Sequence, residues 1–424
     1  MPLPFMLMAD DSGAIFEHPR LLMVGASGIH PVASVPETVH EVPPYTKLFF
    51  LPGCTPAGQD PSTGRIVFVE RYRGRPVFAV SAFLPPGHLR LLLPSARPDY
   101  PRRPLPLWSY SAAGWARGTI VAPYVTLDAT PRWSPENYDD RDLIPAVAPL
   151  RQALPGNRLL EHLIRCATEY HCFAAKNLFL GRWEAPLPVS RACNARCLGC
   201  LSLQPPDGCA ASHERIAFTP TPGEVADVAL FHLSRAEEPI VSFGQGCEGE
   251  PLTEVDLIEE SIRRIRAVTS RGVINLNTNG YSAALLKRLV QAGLDSVRVS
   301  LASARRDVFA AYHKPIGFSL ADVTEAIEAA AEAGAFTMLN YLVCPGVTDQ
   351  PEEIRALVRL ARTAKVRFIH LKNLNIDPWF YLTALGAEQW PRGFGMEQVV
   401  DALRAELPDV ELGYFNRWAI TTGV

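Results

Sequence analysis

Cys193, Cys197 and Cys200 stand in the run RACNARCLGC, with three residues between the first pair and two between the second. Three thiolates this close can grip one metal centre and leave one coordination position open. A centre closed by protein ligands is usually structural, whereas an open position admits chemistry. Two chemistries fit these residues. One is an iron–sulfur cluster; the other is a structural zinc completed from elsewhere, by Cys209 or His213, which would make the chain a non-catalytic nucleic-acid-binding protein. Zinc sites ordinarily come as two separated C-x2-4-C pairs, and no second pair is present.

Further downstream, polar residues recur at the ends of apolar runs. GQGCEGEPL combines glycines, which permit close backbone approach, with Glu250 as an acceptor beside Gly249. NLNTNGY offers Asn277 and Asn279, SVRVSLAS offers Ser300, and NYLVCPGVTDQPEE offers Asn340, with Asp349 as a helix N-cap. KNLNIDPWFY gathers Lys372, Asn373, Asn375 and Asp377 beside Trp379 and Tyr381, where a substrate-selecting loop or a solvated turn would lie. Cys247 and Cys344 also close apolar runs. They are candidate catalytic residues, as hydrogen-atom donors or ligands of a second cluster, against the plainer reading of small buried apolar side chains. Val24–Gly28 (VGASG) lacks the spacing of a dinucleotide-binding loop.

These groups need elements to hold them. Residues 1–150 are broken often by proline and show short β-type runs at 47–51, 65–70, 76–83, 89–93 and 119–127, which predicts a β-rich domain with long loops. Residues 159–180 predict one helix inside a linker at 151–183, with Cys166 and Cys172 about 9 Å apart along its axis and on different faces. From Glu184 strand and helix alternate. Strands are expected at 187–193, 240–243, 273–277, 296–301, 336–343 and 368–371, with helices between them; Gly293 and Gly334 mark helix ends. Six such units in series require a parallel α/β sheet, because parallel neighbours need crossover helices. Polar strand ends such as Asn277 and Ser300 would then face its active mouth. Residues 381–424 are expected to be a helical extension.

The cysteine spacing and the motifs downstream of it resemble the radical S-adenosylmethionine (radical SAM) superfamily over about 184–378. That resemblance implies a partial (β/α)6 barrel with the cluster on the loop after the first strand. Cys193, Cys197 and Cys200 would hold one [4Fe-4S] cluster whose free iron takes the amino and carboxylate groups of SAM. Glu248-Gly249-Glu250-Pro251 is similar to the family's GGEP motif, with Glu248 in place of the first glycine. Gly249 and Glu250 would meet the SAM amino group, Ser300 the ribose or carboxylate, and Asn277 would share the cofactor site. The residue before the third cysteine, commonly aromatic in the family, is Gly199 here. The activity implied is reductive cleavage of SAM to a 5′-deoxyadenosyl radical that abstracts hydrogen from a substrate, fed by an external one-electron reductant. A protein, peptide or RNA substrate is expected, with a small metabolite as the alternative. No cysteine lies beyond Cys344, so a cysteine-rich C-terminal extension is missing and a single cluster is expected.

Composition sets the remaining limits. With 48% hydrophobic residues, 20% charged and a net charge of −3, the chain is globular and not broadly basic. No run is long and apolar enough to span a membrane. Nine cysteines, an odd number, argue against a disulfide framework and for a reducing compartment, the cytoplasm. Between Arg65 and Arg132 ten arginines meet only Glu70, Asp99 and Asp128, with aromatics interleaved. That mixture suits RNA as a partner or an ordinary arginine-rich surface.

Overall fold

The computed structural model describes residues 3–33, 36–129 and 131–417. The N-terminal part is a thirteen-stranded sheet in which every pairing is antiparallel. Lys47–Leu51 forms as expected and pairs with Phe78–Phe83. Two strands that the pattern did not show, Phe5–Ala9 and Ile15–Ser27, run through the sheet's centre. Their inner segments are buried on consecutive residues rather than alternately, so the period-2 signature is absent.

Three helices come next: α1 (Asp140–Ala153), α2 (Arg158–Thr168) and α3 (Phe173–Phe179). The single helix expected at 159–180 is thus two. His171 sits at φ +52°, in the left-handed region that ends a helix, and Cys172 becomes the N-cap of α3. The break folds the chain back so that the Cys172 N–H donates to the Cys166 carbonyl at 3.0 Å. The two thiols are therefore not separated along one helix axis.

The rest is a parallel sheet whose strands lie in chain order: β1 (Glu184–Pro186), β2 (Ile240–Phe243), β3 (Val273–Thr278), β4 (Ser296–Leu301), β5 (Phe336–Val343), β6 (Phe368–Asn373) and β7 (Glu411–Gly413). Helices α4 (Pro222–Arg235), α5 (Val255–Val268), α6 (Ala283–Ala292), α7 (Arg306–His313), α8 (Leu320–Glu332) and α9 (Pro351–Thr363) make the crossovers. Sequential order without reversal is the winding of a barrel, and here the sheet stays open. Its ends nonetheless approach each other. Asn416, just past β7, donates to Glu184 of β1 at 2.7 Å and accepts from Arg298 of β4 at 3.0 Å. This is the expected partial barrel, with one strand more than the six expected.

Two boundaries differ from expectation. β1 lies at Glu184–Pro186 and shares no residue with the strand expected at 187–193, because Pro186 and Pro188 cannot donate to a ladder. The C-terminal segment, whose residues 418–424 lie outside the described residues, is not purely helical. After α10 (Pro378–Ala384) and α11 (Met396–Glu406) it contributes β7 to the sheet.

The N-terminal sheet docks on the loops after β5 and β6. Arg90, buried, donates to the carbonyls of Tyr110, Val343 and Leu374. Arg102 and Asp377 form a two-pronged ion pair at 2.6 and 3.0 Å, and the Ser27 hydroxyl donates to Asp349 at 3.1 Å. Asp349 is therefore not the N-cap of α9. Gln350 is, ahead of Pro351, and the Asp349 carboxylate turns back to accept the Gly346 N–H.

Candidate active site

The cysteine loop begins where the β1 ladder stops. Glu248, in the loop after β2, accepts the Val189 and Ser190 N–H groups on one oxygen at 2.8 and 3.0 Å, and those of Gly244 and Gln245 on the other at 2.7 and 2.8 Å. Burial pushes its carboxyl up to about 7, with the four backbone donors pulling the other way. The acid in the place of a glycine thus satisfies donors that the proline-broken strand leaves unpaired. Beside it the Gly249 N–H donates to Ser190 O and the Glu250 N–H to Ala192 O, both at 2.7 Å. A Cβ on Gly249 would stand 1.9 Å from Ala192 O, so only glycine allows this approach.

The cysteine loop is held on its other side by the end of α7. Arg196 and Leu198 donate to the His313 and Tyr312 carbonyls, Ile316 donates to Asn194 O, and Ala195 bridges Pro315. Tyr312 accounts for Gly199: a Cβ there would lie 2.7 Å from the Tyr312 hydroxyl oxygen. The aromatic ring missing from position 199 is supplied by α7 instead, and it lines the same cavity.

That cavity, of about 410 Å³, opens at the C-terminal ends of the parallel strands. It brings together Cys193, Cys197, Cys200, Gly249, Glu250, Asn277 and Ser300. Glu250 is buried and accepts from the Leu252 and Asn279 N–H groups and the Thr278 hydroxyl; burial pushes its carboxyl up to about 7. Asn277 bridges Phe243 O and the Asn275 amide at 2.9 and 3.0 Å. Opposite the cysteines stand Arg298 and Ser300, two apart on β4 and so on one face, with Asn340 on β5 and Lys372 on β6. Arg298 Nε and Asn340 Oδ1 are buried without a hydrogen-bond partner. Burial, then the Arg298 charge, push the Lys372 ammonium down to about 7.

Other expected residues lie elsewhere. Neither Cys247 nor Cys344 lines the cavity: Cys247 points into the apolar core, and the Cys344 thiol lies buried beside Arg90. Of the polar cluster after β6, Lys372, Asn373 and Asn375 reach the cavity, whereas Asp377 caps α10 and pairs with Arg102, and Trp379 lies under that guanidinium. Arg90 and Arg102 of the arginine-rich segment serve this domain contact. A cavity of about 700 Å³ in the N-terminal sheet, walled by Phe49, Phe50 and Trp108, has no thiol, carboxylate or imidazole in its lining.

The triad fits a cluster better than a single ion. Tetrahedral zinc draws its sulfurs to within about 3.8 Å of one another. Among the described residues, the group of three candidate ligands drawn close enough to share a single ion is His162, Cys166 and Cys247, and the triad is not such a group. N–H donors point at the triad as they do at cluster sulfurs. His313 Nδ1 lies 3.4 Å from Cys197 Sγ, and Arg215 donates to Cys200 Sγ at 3.6 Å. The His313 Nε2 accepts the Ala302 N–H at 3.1 Å, which leaves the ring hydrogen on Nδ1, facing sulfur. Burial pushes this imidazole down to about 3, so it stays neutral.

Comparison with known proteins agrees with this geometry. Residues 187–360 match the model of the radical SAM superfamily. GTP 3′,8-cyclase of Listeria monocytogenes is 30% identical over 43% of this chain and 52% of its own. Molybdenum cofactor biosynthesis protein 1 of Mus musculus is 26% identical over 62% of this chain and 40% of its own. The chain spans about half the length of the curated relatives it matches. Among solved structures, Streptococcus suis SuiB bound to precursor peptide SuiA covers 61% of this chain and 53% of its own, at 13% identity and a TM-score of 0.41.

Proposed function

Because the chain carries a radical SAM domain over residues 187–360, we propose that it is an enzyme acting on a small anionic metabolite. When bound, the [4Fe-4S] cluster and SAM supply one-electron cleavage of a carbon–sulfur bond and a radical that abstracts hydrogen. Cys193, Cys197 and Cys200 hold the iron, with Cys197 and Cys200 receiving hydrogen bonds from His313 and Arg215. Gly249 lets the loop after β2 close against the cysteine loop. Glu250 and Ser300 stand at the cavity wall as the groups to meet SAM. An external one-electron reductant and a reducing compartment, the cytoplasm, belong to this reading.

The observation that carries the substrate class is the cationic wall. Arg298 and Lys372 face the cavity that holds the cysteines, and the Arg298 Nε donor lacks a partner there. Two basic side chains on one wall, one of them carrying a buried donor without a partner, fit a phosphate or carboxylate. The relatives' name, GTP 3′,8-cyclase, makes a nucleoside triphosphate the first compound to try. This favours the metabolite reading over a protein, peptide or RNA substrate.

The test is anaerobic. The purified protein should be brown, contain iron and sulfide, and release 5′-deoxyadenosine from SAM on reduction. GTP or pyrophosphate should bind, and Arg298→Met or Lys372→Met should weaken that binding about 10–100-fold, the worth of one charged hydrogen bond. A colourless, iron-free protein would sink the enzyme reading. A brown protein that binds no phosphate or carboxylate compound would sink the substrate class alone.

A further inference from the structure

On the far side of the loop after β2, three soft donors converge outside the cavity. His162 and Cys166 lie four apart on α2, hence one above the other on one face, with Nε2 3.5 Å from Sγ. Cys247, from the loop, completes the set, and the three ligand atoms all lie within 4.8 Å of one another. Both cysteines belong to the main apolar core, where Cys166 is 1% and Cys247 7% exposed. Two further donors stand close by. The Cys172 thiol, brought back by the break between α2 and α3, interacts electrostatically with both Cys166 and Cys247. His213 does the same with Cys166 and His162.

We infer that His162, Cys166 and Cys247 form a mononuclear site for a soft divalent cation, zinc in the first instance, with Cys172 or His213, which stand outside this close set, as the donor that would move into the fourth position. Imidazole and thiolate are the ligands zinc prefers, and the i, i+4 pair on one helix face is a spacing that serves a single ion. Charge favours the assignment too. Two thiolates and neutral imidazole around a divalent ion sum to zero, which a buried apolar site tolerates and which favours His213 over Cys172 as the fourth donor, and binding releases the two thiol protons. Three donor atoms all within 4.8 Å of one another suit one ion. Cys247 immediately precedes Glu248, so the ion would clip the loop that shapes the cavity to the linker helix α2. The inference does not depend on the proposed substrate or on the cluster.

The experiment therefore uses the full chain with Cys193, Cys197 and Cys200 all replaced by Ala, which removes the iron ligands. This variant, purified anaerobically, should hold one equivalent of zinc by elemental analysis and keep it against a chromophoric chelator. Replacing the zinc with cobalt should give an intense thiolate-to-cobalt charge-transfer band. Adding Cys166→Ser with His162→Ala should abolish both signals, and Cys172→Ser or His213→Ala should weaken whichever donor is fourth. Should the Cys166 variant fail to fold, the chelator competition and the cobalt band on the folded parent still decide. A folded parent that takes up neither metal, full zinc retention after loss of Cys166 and His162, or a Cys166–Cys247 disulfide in place of metal would each overturn the site.

Discussion

Glu248→Gln keeps the shape of the side chain and removes one acceptor and the charge. In the native loop each carboxylate oxygen accepts two backbone N–H groups, from Val189 and Ser190 on one side and from Gly244 and Gln245 on the other. Whichever way the glutamine amide turns, its NH2 faces two N–H donors, so two hydrogen bonds to a charged group are lost. At about 1.5–3 kcal/mol each the gross loss is about 3–6 kcal/mol. The desolvation of the carboxylate, which pushes its pKa up to about 7, is relieved at the same time. We expect a net destabilisation of about 2–4 kcal/mol, read by anaerobic denaturant unfolding of the metal-free chain. Because Val189 and Ser190 lead directly into the cysteine loop, iron retention on dialysis should fall as well. Glu248→Gly, which restores the residue that the family resemblance puts here, removes all four acceptors and should be worse than glutamine. The reasoning fails if Gln or Gly lies within about 0.5 kcal/mol of the parent, the range of an uninvolved surface change.

Lys372 offers a contrast between stability and function. Its folded pKa, pushed down to about 7 from 10.5 by burial, then by Arg298 and against the pull of Glu184, means the unfolded chain binds the extra proton between those values. Stability should rise with pH from about 7 to 10. Lys372→Met should flatten that slope and raise the Tm at pH 7 by about 1–2 °C for each kcal/mol gained, while weakening pyrophosphate binding; an unchanged slope refutes the burial. His313→Phe removes the N–H that faces Cys197 Sγ. A donor worth about 1 kcal/mol more to the reduced cluster corresponds to roughly 40 mV for one electron, so a redox titration followed by electron paramagnetic resonance should show a drop of that order, and no drop refutes the donor assignment. Gly199→Phe should cost about 1–3 kcal/mol through its clash with the Tyr312 hydroxyl. Tyr312→Ala in the same chain should recover most of that loss, and failure to recover it means something other than Tyr312 requires the glycine.

The strands from β2 to β6 and the helices between them other than α7 were legible because each strand is a short, mostly buried run and several helices carry end signals, Gly293 among them; α7, without a side-chain cap, was not. The cavity residues at strand ends, Gly249, Glu250, Asn277 and Ser300, followed from that alternation together with the family resemblance. Elements set by competition between distant segments were not legible. β1 stops at the prolines Pro186 and Pro188, and the Val189 and Ser190 N–H groups left beyond it go to an acid some sixty residues away. Asp349 looks like a cap ahead of a helix, but Pro351 shifts the cap to Gln350 and the carboxylate goes to Gly346. Tyr312 and His313 carry no motif. Their place beside the cysteines depends on the bridge between Ala195 and Pro315, which no local spacing encodes. For Glu248 a signal did exist: an acid inside a glycine-rich turn, next to a strand broken by proline, is where unpaired backbone donors need an acceptor.

The loop after β2 explains why a site split between distant strands holds one geometry. Its consecutive residues face different neighbours: Cys247 meets His162 and Cys166 of α2, Glu248 meets the end of β1, Gly249 lies against Ala192, and Glu250 meets Thr278 and Asn279 at the end of β3. Asn279 in turn donates to Asn194, inside the cysteine loop, at 2.6 Å. The cysteine loop is therefore held by β2 and by β3 through separate polar contacts, and on its far side by the end of α7. The contacts from Glu248, Gly249, Asn279 and α7 to the cysteine loop are made without the thiols of Cys193, Cys197 and Cys200. The backbone of the loop can thus be set before any iron arrives, so that incorporation of the cluster meets three sulfurs already placed. The opposite wall, with Arg298, Asn340 and Lys372, is built on strands β4, β5 and β6 and shares none of these contacts. On the proposed reading the cysteine side would keep the cluster geometry, while Arg298 and Lys372, which the cysteine motif does not mention, would set substrate choice beside Ser300.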